Sequence, residues 1–231
     1  MLLKDILKKA RNDCSPDHII YFDLGIIDYS KAFKIQENLF EITRQTNSLG
    51  FLLLLEHKPV ITIGNNRNLD NLKANPEKLR EQKITLIQSN RGGDITFHGP
   101  GQLIGYPIIN LKHIKKDLAL YVFNIEQLII DFLSLYGIKG IRIPKHRGVF
   151  VGNSKIASIG IRIKKWISMH GFALNINTDL TYFENIIACG LKEYSQTSTE
   201  KILNKKLPLP YVKEQIIEKI RDTFKKSVIK I

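Results

Sequence analysis

The sequence predicts an α+β fold, a mixed sheet backed by helices, on three observations. Strand and helix signals alternate from end to end without a regular repeat. A long apolar stripe at helical spacing follows Asp117. Residues 148–177, GVFVGNSKIASIGIRIKKWISMHGFALNIN, read as consecutive antiparallel strands. At 231 residues the chain can bury one sizeable core, and no Pro/Gly/Ser-rich linker or compositional break divides it. One domain over 1–231 is therefore expected.

The elements follow in order. MLLKDILKKARND carries charges through its apolar positions, so it reads as a short amphipathic helix and not as a signal peptide. IIYFDLG at 19–25 is a strand. Asp28 can cap a helix reaching about residue 46, which sets Tyr29, Phe33, Gln36, Phe40 and Thr43 on one face. FLLLLEHKPVITIG gives two short apolar strands broken at 57–59. Asn75 and Pro76 open a helix over EKLREQK, because proline suits a first turn. ITLIQS returns as a strand into a glycine-dense loop, and QLIGYPIINL continues as a strand beyond it. After Asp117, the residues Leu118, Val122, Ile125, Leu128, Ile129, Phe132 and Tyr136 make a core stripe ending at Gly137. The strands that follow turn at Gly152 and Asn153 and again near Lys164 and Lys165. A last amphipathic helix begins at about Pro210, with Val212, Ile216, Ile220 and Phe224 on one side.

Composition narrows the function. Hydrophobic content of 43% and charged content of 25% are ordinary for a soluble globular protein. No apolar run has the length of a membrane helix, so a cytoplasmic protein without membrane contact is expected. Cys14 and Cys189 lie far apart with no framework of partners, so no structural disulfide is expected in that reducing compartment. The formal charge of +13 raises nucleic acid as a partner, yet the lysines are spread along the chain and no basic cluster is interleaved with aromatics. The reading that remains is a positive surface that steers acidic protein partners.

Chemistry concentrates in RGGDITFHGPGQLIGYPI, Arg91 to Ile108, with five glycines and two prolines between apolar segments. Glycine lets a ligand lie against the backbone, while Arg91, Thr96 and His98 supply charge and hydrogen bonds. Periodicity puts Lys155 on one strand face with Ala157, Ile159, Ile161 and Ile163, where desolvation would weaken its hold on a proton. The alternative is a lysine stem that snorkels to water. Cys189, in IIACGL, reads either as a small buried hydrophobe or as a nucleophile whose thiolate needs a nearby cation, for which Lys155 is one candidate. Cys14 reads as incidental. His98 and His170 sit in no metal spacing, and no metal is expected. A GxxxxGK phosphate loop is absent, the glycines at 99, 101 and 105 miss the GxGxxG spacing, and GNSKI lacks the second glycine of a nucleophile elbow.

RGGDITFHGPGQLIGYPI resembles the signature of the lipoyl (octanoyl) transferases, and GVFVGNSKIASIGIR, HGFALNIN, DLTYF and ACGL resemble the family's other blocks in the same order. The resemblance covers about residues 50–191, with one departure: Ala188 stands where the family commonly has proline. It implies a fold like the catalytic domain of biotin and lipoate protein ligases. It also implies transfer of an octanoyl group from acyl carrier protein to a lysine of a lipoyl domain, as in the 2-oxoacid dehydrogenases and the glycine cleavage H protein. By the same resemblance Cys189 is the acyl-thioester nucleophile, and Lys155 lowers its pKa and serves in proton transfer. Arg91, Gly92, Gly93, Asp94, Ile95, Thr96, Phe97 and His98, with Ser158, Ile159, Gly160, Gly171, Phe172 and Ala173, match the segments lining the acyl substrate. Neither ATP nor metal is needed, the donor being carried on the phosphopantetheine of the carrier, and a monomer is expected. Competing readings are an ATP-dependent lipoate or biotin ligase on the same fold and a non-catalytic module that binds acyl groups or carrier protein.

Overall fold

The computed structural model describes residues 3–66, 69–191 and 193–231, so Met1 and Leu2 of the N-terminal helical segment lie outside the described residues. Helix α1 (Leu3–Asp13) precedes strand β1 (His18–Ile27) and helix α2 (Tyr29–Thr46). Strands β2 (Gly50–His57) and β3 (Val60–Ile63), helix α3 (Pro76–Glu81) and strands β4 (Thr85–Gln88), β5 (Ile95–His98) and β6 (Gln102–Ile109) follow. Helix α4 (Leu118–Ser134) leads into β7 (Ile141–Ile143), β8 (His146–Val151), β9 (Ser154–Lys164) and β10 (Ile167–Asn175). The chain closes with β11 (Ser195–Gln196), α5 (Thr199–Leu203), α6 (Leu209–Phe224) and β12 (Ser227–Lys230).

The architecture is α+β, as the alternating signals predict. The main sheet runs β12-β1-β2-β6-β10-β9-β8-β7, with β11 added against β9. It is mixed: β12, β1 and β2 are parallel neighbours, whereas β2 to β6, β6 to β10 and β10 to β9 are antiparallel. Helices cover both faces, which explains the unbroken apolar run FLLLL. Phe51, Leu53 and Leu55 pack toward α1 and α2 with Ile6, Ala32, Leu39 and Phe40. Leu52 and Leu54 pack toward α4 and α6 with Ile125, Phe132, Ile216 and Ile220.

Caps set the helix starts. Asn75 accepts from Lys78 N at 2.9 Å and Asp117 from Leu120 N at 2.9 Å, so both helices begin where the sequence places them. Asp28 occupies the N-cap of α2 but makes no side-chain cap bond, because its carboxylate is drawn to Lys58 at 3.2 Å and Lys31 at 3.5 Å. Leu118, expected in the core stripe of α4, is 49% exposed because it sits at the first turn, ahead of the buried stripe. The β9–β10 hairpin turns at Lys165 and Trp166, both left-handed at φ 52° and 65°, one residue later than expected.

Two tertiary features shape the site. The strands broken at 57–59 part company: β2 joins the main sheet, while β3 is the centre of a small sheet in the order β4-β3-β5. The segment expected to be a loop up to residue 101 contains a true strand, β5, whose residues Ile95 to His98 pair antiparallel with Ile63 to Val60. Ile95 and Phe97 pack beneath the small sheet with Leu79, Phe183, Ile186 and Ala188, so this second core holds the approach to Cys189.

Candidate active site

The small sheet and the edge of the main sheet enclose a cavity of about 190 Å³, bordered by Lys155, Cys189, the 91–98 segment, β9 and β10. Lys155 Nζ donates to Cys189 Sγ at 3.2 Å. An ammonium at that distance is placed to attract a thiolate, with the lysine side of the pair shielded from water. Lys155 is only 2% exposed, so the snorkelling alternative does not hold.

The face assigned to Lys155 from periodicity is corrected by a bulge. Val149 pairs with Ala157, yet Phe150 pairs with Lys155, so Ile156 has no opposite residue and the alternation flips there. Ala157, Ile159, Ile161 and Ile163 turn to the α4 and α6 core, whereas Lys155 borders the cavity beside Ser158 and Gly160. Its ammonium lies 5.5 Å from the centre of the Phe150 ring, within cation–π range. Its stem lies over Gly148, at φ +122°, where an added Cβ would come within 2.7 Å of Lys155 Cε and 2.3 Å of Ala157 O. Gly148 N in turn donates to Glu126 Oε1 at 3.1 Å, and the other Glu126 oxygen accepts from Arg142 at 3.1 Å.

Cys189 is left-handed, φ 56° and ψ 18°, a conformation uncommon outside glycine and asparagine. Ala188 cannot restrict this turn as a proline would, and packing does so instead. Ile186 and Ala188 are buried in the small-sheet core, and Ile187 N donates to Asn71 O at 2.7 Å.

Beneath the cavity, Arg91 is buried to 7% exposure. Its Nε and Nη2 donate to Thr62 Oγ1 at 3.1 and 2.8 Å, and Nη1 to Gly92 O at 3.1 Å. From there polar contacts continue back to the lysine. Thr62 Oγ1 meets His98 Nε2 at 3.3 Å, His98 Nδ1 meets Gln102 Oε1 at 2.8 Å, and Gln102 Nε2 donates to Asn175 Oδ1 at 2.9 Å. Asn175 Nδ2 donates to Thr197 O at 3.0 Å, and Thr197 N donates to Lys155 O at 2.9 Å. Burial holds His98 well below its usual pKa, helped by repulsion from His57 and Arg91. Burial likewise pushes His57 down to about 4 and His170 down to about 3. All three are neutral at pH 7. The cavity's positive charge therefore comes from Arg91 and Lys155, with Lys145 and Arg147 at its border.

Of the remaining sequence candidates, Gly93, Asp94, Thr96, His98, Ser158, Ile159, Gly160, Gly171, Phe172 and Ala173 border the cavity with Arg91. Strand alternation carries Ile95 and Phe97 away from it into the small-sheet core. Gly92 donates to Ile161 O at 3.2 Å and borders a neighbouring apolar hollow with Leu118 and Val122. Tyr29, Asn66, Tyr106, Lys145, His146, Arg147 and Leu191 also border the cavity and were not foreseen; only Tyr106 lies inside the glycine-rich string that could have pointed to it. Among the described residues no group of three His, Cys, Asp or Glu side chains could hold a metal ion, and both cysteines are free thiols. No described helix is long and apolar enough to cross a membrane.

A buried lysine in contact with a half-buried cysteine beside a cavity, on a helix-covered mixed sheet, is an arrangement suited to group transfer, and the wider fold is seen in solved ligases. A lipoate-protein ligase A bound with ATP superposes with TM-score 0.71 at 13% identity, over 93% of this chain and 88% of that one. The biotin protein ligase of Aquifex aeolicus in complex with biotin and ATP gives 0.54 at 15% identity, over 89% and 70%. At such identities these likenesses speak for the fold alone. Residues 28–221 match the family described as Lipoyl protein ligase A/B catalytic domain, and the chain belongs to that family. It is also 52% identical over 168 residues to the octanoyltransferase of Solibacter usitatus, covering 73% of this chain and 76% of that one.

Proposed function

We propose that the chain is a single-domain octanoyltransferase that works through an acyl thioester on Cys189. Octanoyl transfer as an enzymatic activity follows from its similarity to the octanoyltransferases at 52% identity. The observation that carries the mechanism is the 3.2 Å contact between Lys155 Nζ and Cys189 Sγ at a partly apolar cavity. In the first half-reaction the Cys189 sulfur attacks the thioester of octanoyl-acyl carrier protein. A new C–S bond forms, the carrier's C–S bond breaks, and the thiol proton travels by way of Lys155 to the departing phosphopantetheine sulfur. In the second, the target lysine of a lipoyl domain attacks the acyl-enzyme and Cys189 leaves. Thioester and thioester lie close in bond energy, so loading runs without ATP and without a metal ion. Burial of the acyl tail supplies about 0.8 kcal/mol per methylene. The positive charge suits acidic protein partners, and a cytoplasmic setting belongs to the same reading.

Incubation with octanoyl-acyl carrier protein is expected to add one octanoyl group to the chain by intact mass, mapped to Cys189. Modification of a lipoyl domain with no such adduct contradicts the mechanism. Cys189→Ala separates the ATP-dependent ligase reading, since a ligase would keep its activity. Lys155→Ala is expected to keep the fold and lower transfer on the order of a hundredfold or more; an unaltered rate removes Lys155 from the reaction.

A further inference from the structure

We propose that Asp94 is the group that receives the incoming acceptor lysine, binding its ammonium and taking the proton it must lose before attack. This rests on the acyl-enzyme reading above and concerns its second half. The acceptor is a cation, and it enters a cavity bordered by Arg91, Lys145, Arg147 and Lys155. Asp94 is the one carboxylate among the described residues bordering that cavity. It is 8% exposed and adjoins the nucleophile's turn: its Oδ2 lies 3.3 Å from where a Cβ on Gly190 would stand.

The two carboxylate oxygens differ. Oδ2 accepts from Asn71 Nδ2, and Asn71 O anchors Ile187 of the same turn. Oδ1 is buried and has no hydrogen-bond partner among the described residues. A buried acceptor left without a donor is costly, and beside a reaction cavity it is free to take a donor that arrives with substrate once the side chain turns toward it. His98 has both ring nitrogens engaged, Nδ1 with Gln102 and Nε2 with Thr62, and His170, whose buried Nδ1 also lacks a partner among the described residues, is a weak proton acceptor because burial pushes it down to about 3.

The step balances. The ammonium gives one proton to the Asp94 carboxylate, and the freed amine lone pair forms the C–N bond to the octanoyl carbonyl carbon. The C–S bond then breaks with its electron pair returning to Cys189, the second amine proton passes to that sulfur, and Asp94 releases its proton to water. Lys155 faces the sulfur and Asp94 the amine, so departing and attacking groups are served by opposite charges.

The test measures the two half-reactions separately. The chain is loaded with octanoyl-acyl carrier protein, followed by intact mass, and the acyl-enzyme is discharged either by a lipoyl domain or by hydroxylamine, an amine that is neutral at pH 7. Asp94→Asn, which preserves shape and the bond from Asn71, is expected to slow discharge to the lipoyl domain on the order of a hundredfold. Hydroxylamine discharge is expected to suffer far less, and Asp94→Glu to recover part of the lysine rate. Raising the pH is expected to narrow the defect of Asp94→Asn, as more of the acceptor is already neutral. Lysine discharge at the wild-type rate overturns the proposal, as does an equal loss in loading and in both discharges, which would make Asp94 only a support of the cysteine turn. If the amide variant does not fold, Asp94→Ser answers by the same ratio of rates. Absence of any acyl-enzyme in the wild type overturns the Cys189 thioester and this proposal with it, whereas a normal adduct with unaltered lysine discharge overturns this proposal alone.

Discussion

His57, His98 and His170 lie within one aromatic cluster with Tyr29 and Tyr106, and burial keeps each of them uncharged. His57 Nδ1 meets Ile27 O at 2.9 Å and its Nε2 meets the Tyr106 hydroxyl at 2.8 Å, so the ring donates to the carbonyl and accepts from the phenol. Each folded-state pKa is depressed, and in acid the unfolded chain therefore binds protons that the native chain refuses. Stability is full above the unfolded value of about 6.5 and falls as the pH drops below it, His57 alone accounting for on the order of 3 kcal/mol by pH 4. Thermal unfolding from pH 7 to pH 5 should show a steady fall in Tm, and His57→Gln should flatten it. An unchanged slope would mean that His57 takes up its proton in the folded state. The sequence offered His98 and His170 only as histidines outside any metal spacing; their burial depends on residues far along the chain and left no local trace.

At the scale of elements, the bulge between β8 and β9 decides where Lys155 points. Strict alternation would bury its ammonium against Ile159 and Ile161, and the extra residue Ile156 delivers it to Cys189 instead. Gly148 is the bed on which the lysine stem lies. Gly148→Ala is expected to cost about 1–3 kcal/mol through its positive φ and the collision with Ala157 O. Displacement of the ammonium is expected to lower acyl transfer on the order of a hundredfold. Normal transfer by a folded Gly148→Ala protein would show that the lysine tolerates another path. The starts of α3 and α4 were legible because their N-caps are local chemistry. Strand β5 was hidden by glycines on both sides, and with it the alternation that sends Thr96 and His98 to the cavity and Ile95 and Phe97 to the core.

Across the whole molecule, a net charge of +13 acts at long range. By the proposed function, attraction between this field and an acidic carrier protein is expected to raise the encounter rate and to be screened by salt, the Debye length shrinking from about 10 Å at 0.1 M to about 3 Å at 1 M. Raising the ionic strength across that range is expected to lower kcat/KM with octanoyl-acyl carrier protein roughly tenfold. A small neutral octanoyl thioester should show little change. Equal salt sensitivity with both donors would trace the effect to the site and not to steering. The remaining breadth of the molecule serves to bring three distant segments to one cavity: the β5 strand from the small sheet, Lys155 from the main sheet, and the Cys189 turn packed between them.

By itself the sequence determined helices α1 to α4 and α6, the longer strands and their turns, because caps, positive-φ glycines and apolar periodicity act over a few residues. Its motif strings, by their resemblance to a family, also pointed to Cys189 as the nucleophile proposed above. Only the tertiary structure decided that Lys155 and Cys189, 34 residues apart, meet at 3.2 Å, that Ile156 reverses the strand's facing, and that Asp94 is the lone carboxylate among the described residues around a cationic cavity. Those outcomes depend on register between strands and on packing of separate sheets, and such long-range geometry is set by the sum of the core contacts and not by any short window of chain.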